Sequence, residues 1–239
     1  MNAINFKKSN TVVIYGSGYS LNEIASSQWE ELGKFDSIGF NFFVLQKWID
    51  PTFLIVGDIR PEKSLEFSGR NIKNTYEKYY SHIHGRYQDS LFIVRDDQLK
   101  MLPGEFAQTY KYFVVERSAN IKHFGKKMDT MWYGQSTLFS ALDWAFKMRY
   151  DEVIFAGVDL YDYRFFWLPH DTRREPGTPE EKPRWADRKL NKKHPIHKKT
   201  LGWFKDYAKV VKGFGIKLFS YNDRSLLLNS KLVKSWSER

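Results

Sequence analysis

The residues best suited to chemistry sit in G-S-G-Y-S, residues 16–20, directly after the apolar run Thr11–Tyr15. Gly16 and Gly18 can take backbone angles closed to other residues and let a ligand approach the main chain. Ser20 followed by Glu23 has the S-x-x-E form of a capping box, which predicts a helix starting at Ser20. The free N–H groups and dipole of that helix favour an anion, so a phosphate is the expected guest. A dinucleotide fingerprint would need a small residue where Leu21 stands. The acidic ribose partner appears only as Asp36, before the next strand rather than after it. There is no G-x-x-x-x-G-K-[ST] loop, and Tyr15 at the strand end, in place of an acid, speaks against a methyl donor. Two further groups can hold an anion or shape its pocket. Gln135, Ser136 and Thr137 follow a glycine and open a helix-like stretch, and Gly157 and Asp159 end the run EVIFAGVD. Six histidines provide groups that exchange a proton near neutral pH.

These residues need a frame, and the apolar runs supply one. Strand-like segments recur at 11–15, 37–42, 52–58, 91–94, 112–116, 152–159 and 216–220. Several lack polar alternation, which suits strands buried on both faces of a parallel sheet. Helix-like stretches lie between them: SLNEIASSQWEEL, STLFSALDWAFKM and TLGWFKDYAKVVKGFG. The alternation predicts one α/β domain over 1–239, with a Rossmann-like, mostly parallel sheet flanked by helices. Residues 160–199 break the pattern and carry five of the eight prolines, too long for an ordinary connection. The cluster YDYRFFW at their start would be costly to leave in water, so a partly ordered lid is expected there.

The chain has no cysteine, which excludes disulfides, thiolate nucleophiles and cysteine metal sites. No apolar run approaches the ~18–20 residues of a membrane span. The opening MNAINFKKSN lacks the apolar core of a signal peptide, so a cytoplasmic protein is expected. The net charge of +10 is unevenly spread: residues 1–169 hold 20 basic and 20 acidic side chains, and residues 170–239 hold 18 and 8. A basic C-terminal third suggests an anionic partner: nucleic acid, a phosphorylated glycolipid or an anionic membrane surface.

Several motifs in one order resemble the small bacterial lipooligosaccharide sialyltransferases of glycosyltransferase family 42. Their opening, strand–G-N-G-P-S-L-x-E-I, is matched here by G-S-G-Y-S-L-N-E-I. Asn41 in GFNFF matches the asparagine of their second strand, and Asp58 in LIVGD stands near a polar contact of their third. YGQSTLFSALDWAF, RYDEVIFAGVDLY, FFWLPHDTR and HPIHKK…GIKLFSYNDRSLLL follow in the family's order. The likeness runs through residues 11–228 but leaves 60–130 unmatched. Ser17 replaces the motif's asparagine, Tyr19 its proline, and Asp58 an amide.

The resemblance implies a GT-A-like variant of the Rossmann-like fold that transfers a 2-ulosonic acid sugar, such as sialic acid, from a CMP-activated donor. The acceptor would be a hydroxyl of a glycan or lipid-linked oligosaccharide, and transfer would proceed with inversion and without a metal ion or other cofactor. It places Gly16, Ser17, Gly18, Ser20, Asn41, Asp58, Gln135, Ser136, Thr137, Gly157 and Asp159 around the nucleotide. Tyr161 matches the family's first phosphate-contacting tyrosine. The second has no clear equivalent; Tyr163, Phe166, Trp167 and His170 occupy that part of the lid. His197, with His194 as runner-up, stands nearest the family's catalytic histidine, the general base. An enzyme of this kind works peripherally at the anionic inner membrane, and the family often forms tetramers, so a homo-oligomer belongs to the same expectation. Two other readings stand beside it. One is a different nucleotide-dependent transferase on the same scaffold, pyrophosphokinase-like or using another activated sugar. The other is a basic nucleic-acid-binding module, which would not explain the seven-strand frame.

Overall fold

The computed structural model describes residues 2–56, 83–100, 102–132, 136–160, 166 and 195–239, and at 41–42 and 195–199 the backbone alone. Nine strands form a single sheet among them: β1 (Thr11–Tyr15), β2 (Asp36–Phe40), β3 (Phe53–Val56), β4 (Leu91–Arg95), β5 (Lys111–Ser118), β6 (Thr130–Trp132), β7 (Glu152–Ala156), β8 (Lys217–Ser220) and β9 (Val233–Ser235). Their order is β6-β5-β4-β3-β2-β1-β7-β8-β9, and every neighbouring pair is parallel. The chain therefore winds outward from β1 to β6, then crosses back to lay β7 on the other side of β1. That reversal between β1 and β7 is the topological switch point, where open α/β sheets bind ligands.

The apolar runs explain the sheet. β1, β2, β3, β4 and β7 are buried at every residue. Two strands, β6 and β9, go beyond the seven expected. Each is three residues long, and β9 alternates buried Val233 and Ser235 with exposed Lys234. A run that short carries too little periodicity to read.

Helices cover both faces: α1 (Ser26–Leu32), α2 (Asp96–Leu99), α3 (Phe106–Thr109), α4 (Thr137–Lys147), α5 (Pro195–Asp206) and α6 (Ala208–Gly213). Val12, Ile14, Val153 and Phe155 pack in one core with α4 and with Trp203 and Phe204 of α5. Val13, Tyr15, Ile154 and Ala156 pack in the opposite core with Trp29 and Leu32 of α1. The period-two alternation of β1 and β7 thus feeds two apolar layers rather than one.

All of α4 is buried, its charged residues included. The Lys147 ammonium lies 2.7 Å from Asp143 Oδ2 and also donates to the Thr130 carbonyl. Asp143 accepts further hydrogen bonds from the Gly125 N–H (2.6 Å) and the Trp132 N–H (2.7 Å). Burial pushes the Asp143 carboxyl up and the Lys147 ammonium down, and each opposes that shift in the other. The pair pins α4 to β6 from inside the protein.

The helix expected from Ser20 starts elsewhere. Tyr19–Glu23 form a 3-10 turn, and α1 begins at Ser26. Its first turn is closed by Gln28, whose Oε1 accepts from the Ala25 N–H at 2.9 Å. The long C-terminal helix is likewise two helices, broken at Tyr207 (φ −102°, ψ 14°). Part of the C-terminal positive charge is answered from the neutral part of the chain: Lys217 and Arg239 both pair with Glu152. No helix among the described residues is long and apolar enough to cross a membrane.

Candidate active site

Three turns meet at the carboxyl end of the sheet beside the switch point: residues 16–20 after β1, 157–160 after β7 and 221–225 after β8. Gly16 N–H donates to Ala156 O (2.8 Å) and Gly18 N–H to Gly157 O (2.8 Å), so the first two turns run edge to edge. The glycines are required by this approach. A Cβ on Gly16 would stand 2.3 Å from Gly157 O, and one on Gly18 would stand 2.4 Å from Asp159 Oδ2. Neither has positive φ; Gly18 is extended at φ −70°, ψ 154°. Neither glycine uses the backbone angles open to it alone: the constraint is space, not torsion, and what comes close to the main chain is the neighbouring turn. Gly157 does need its freedom, at φ +65°, and a Cβ there would also strike Leu21 at 2.6 Å. Leu160 closes the same turn at φ +59°, a left-handed conformation that costs a non-glycine residue ~1–2 kcal/mol.

Asp159 is the knot of the three turns. It is 2% exposed. Oδ2 accepts from the Ser20 N–H at 3.0 Å, and Oδ1 accepts from the Ser20 hydroxyl and from Asn222 Nδ2 (3.0 Å). Its backbone carbonyl accepts from the Leu226 N–H (3.1 Å), while the Ser225 hydroxyl donates to Val158 O (2.6 Å). Ser20 therefore hydrogen-bonds across the switch point instead of capping a helix. Its hydroxyl, expected to cap the helix, and its N–H are both turned to Asp159.

The other expected residues divide. Asn41 is the first residue of a 3-10 turn, Asn41–Leu45, at the carboxyl end of β2, next to β1. Ser136 is the N-cap of α4, and Thr137 its first residue. Because α4 leaves β6 and enters β7, its N-terminus lies at the same edge of the sheet. Ser136 Oγ caps no N–H and is buried without a hydrogen-bond partner. Such a hydroxyl at a helix N-terminus is suited to an incoming oxygen. His197 lies in the first turn of α5, which begins with Pro195 as helices favour. Phe166 sits against the glycine turn: its N–H donates to Ser17 O (3.1 Å), and its carbonyl accepts from Asn22 Nδ2 (2.9 Å). Asp58, Gln135, Tyr161, Tyr163, Trp167, His170 and His194 lie outside the described residues. Asn222, Ser225 and Asn22 build the site without having been expected. YNDRS offers a turn signal, but nothing local says that its amide reaches Asp159.

No protein-family model matches the chain, nor does any curated protein sequence. Among solved structures it resembles that of MAf glycosyltransferase from Magnetospirillum magneticum AMB-1, with a TM-score of 0.55 and 14% identity. The match covers 97% of this chain and 34% of that one, so this chain spans about a third of that protein's length. The likeness is one of fold: a parallel sheet flanked by helices, shared with a glycosyltransferase along nearly the whole of this chain.

Proposed function

We propose that the chain is a glycosyltransferase that moves a sialic-acid-like 2-ulosonic acid from a CMP-activated donor to a hydroxyl of a glycan or lipid-linked oligosaccharide. The observation that carries the reading is the switch-point edge. The glycine turn lies at that edge, and the N-terminus of α4, with its partnerless buried Ser136 hydroxyl, lies at the same carboxyl end of the sheet. The fold shared with a known glycosyltransferase supports the reaction class. The ordered motifs that resemble family 42 support the donor.

In this reading the CMP phosphate lies between the Gly16–Gly18 turn and α4, where helix dipole and hydroxyl donors meet its charge. The acceptor oxygen bonds to the anomeric carbon while the bond from that carbon to the phosphate oxygen breaks. His197 takes the acceptor's proton, Tyr161 donates a hydrogen bond to the departing phosphate, and CMP leaves as a monoester without help from a metal ion. Attack from the face opposite the phosphate inverts the anomeric centre. Exposed Lys205, Lys209 and Lys212 on α5 and α6 would hold the enzyme at an anionic membrane surface.

Calorimetry with CMP, UMP, AMP and ATP tests the donor: tightest binding is expected for CMP, and a preference for ATP overturns the reading. His197→Ala should lower turnover by ~10²-fold or more while CMP affinity holds. If it turns over normally and His194→Ala does not, the base is His194.

A further inference from the structure

Five aromatic rings close into a circuit beside the glycine turn. Tyr15 stacks on Phe43 at a centroid distance of 4.9 Å and on Trp29 at 5.5 Å. Trp29 stacks on Trp48 at 4.8 Å with the planes 14° apart. Phe166 completes the ring, 6.2 Å from Phe43 and 5.5 Å from Trp48. Four of the five are buried. Trp48 is 37% exposed and is the one aromatic among the large exposed hydrophobic residues of the described part of the chain, beside Ile4, Val114 and Val210.

An exposed tryptophan left to tumble would carry little meaning, but this one is fixed from below. Gln46 is 2% exposed and clips the loop: its Oε1 accepts from the Trp48 N–H (2.6 Å) and the Ile49 N–H (3.0 Å). Its Nε2 donates to Ile49 O (2.6 Å) and to the Tyr87 hydroxyl (3.2 Å). Arg86 Nη2 donates to the Gln46 carbonyl at 2.9 Å. A buried amide thus holds the backbone that carries a solvent-facing ring, and Trp29 and Phe166 pack against the ring itself. Such preorganisation lowers the entropy cost of binding to that ring.

Position says what the ring is for. Trp48 lies in the loop that follows β2 and its 3-10 turn. In doubly wound sheets a nucleotide's phosphate sits at the first turn, and its nucleoside runs toward the end of the second strand. Through Phe166, Trp48 is tied to Ser17 of that first turn. We propose that Trp48 is the stacking platform for the nucleobase, with Phe166 as the strut between base and phosphate subsites. This rests on the chain binding a nucleotide at the switch point, as proposed above, but not on the base being cytosine, because every base presents a flat face to a stacking ring.

The test is calorimetry of CMP, UMP and AMP with the whole chain and its Trp48→Phe and Trp48→Ala variants, whose folding is checked by circular dichroism. Trp48→Ala should weaken each nucleotide that binds by about tenfold, and Trp48→Phe should keep most of the affinity. The ratio between nucleotides should stay as in the parent, because stacking does not read base edges. Should AMP bind best and still lose affinity in Trp48→Ala, the cytidine donor falls and the platform stands. Unchanged affinity in Trp48→Ala for every nucleotide that binds the parent overturns the platform. A raised KM for the acceptor alone does the same and makes the ring a sugar subsite. Absence of any nucleotide binding to the parent overturns both proposals.

Discussion

Two aspartates, both buried, end up in opposite roles. Asp143 in α4 meets a cation, Lys147, and two backbone N–H groups, and all four groups belong to one side of the fold. Asp159 meets three donors that are all neutral, from two turns that are distant in sequence. Each accepts three hydrogen bonds, so neither is an accident of folding. The difference lies in what each arrangement fixes. The ion pair secures a helix to a strand and asks nothing of the surface. The neutral knot fixes the relative position of turns that would touch a ligand, and puts a carboxylate beneath them. The first is scaffold; the second is the frame of a site.

The largest effect should come from unbalancing the ion pair. Asp143→Ala strands a buried ammonium and is expected to cost ~3–5 kcal/mol, read as a fall in the urea midpoint. The double variant Asp143→Leu with Lys147→Met should regain much of it. A single-variant loss under ~1 kcal/mol would break the contrast, because Asp143 would then be no more than another polar group. Crowding the neutral knot should cost less. Gly18→Ala drives a methyl into Asp159 and should lose ~1–3 kcal/mol together with nucleotide affinity. Gly104→Ala, with no described atom within 4 Å of the new carbon, should stay within about ±0.5 kcal/mol. Equal effects of the two changes would mean that the turns are looser than their contacts. The smallest effect is one of pH. Burial pushes the Tyr87 phenol up from 10.0 to about 12, against an opposing pull from Arg86. A folded pKa above the unfolded one means that the folded chain keeps a proton the unfolded chain has lost. Stability from this group is complete below pH 10 and falls as pH rises toward 12. Tyr87→Phe should flatten that decline in urea midpoints measured across the window.

The sheet was largely legible because its strands are continuous apolar runs, which few other structures tolerate. β6 and β9 were not, since three residues give no period and Lys234 masks the second. The site was legible in kind and misread in detail. Ser20 and Glu23 satisfy a capping pattern, yet the Ser20 hydroxyl is taken by a residue 139 positions away, and no local rule registers that competition. The glycines were expected for freedom of angle and for close approach of a ligand, whereas it is the neighbouring turn that comes close and leaves no room for a side chain. Gln46 and Asn222 gave no signal, because a buried amide's value lies in partners that only the folded chain assembles.

The knot at Asp159 also has a consequence in time. It joins residues 139 positions apart on one side and 63 on the other. Long-range closures of this kind form slowly and late. During synthesis β1 and its glycine turn emerge well before Asp159, and Asp159 well before Asn222. A chain made only as far as the turn after β7 can therefore hold much of the sheet while the Asp159 knot still lacks its Asn222 and Leu226 partners.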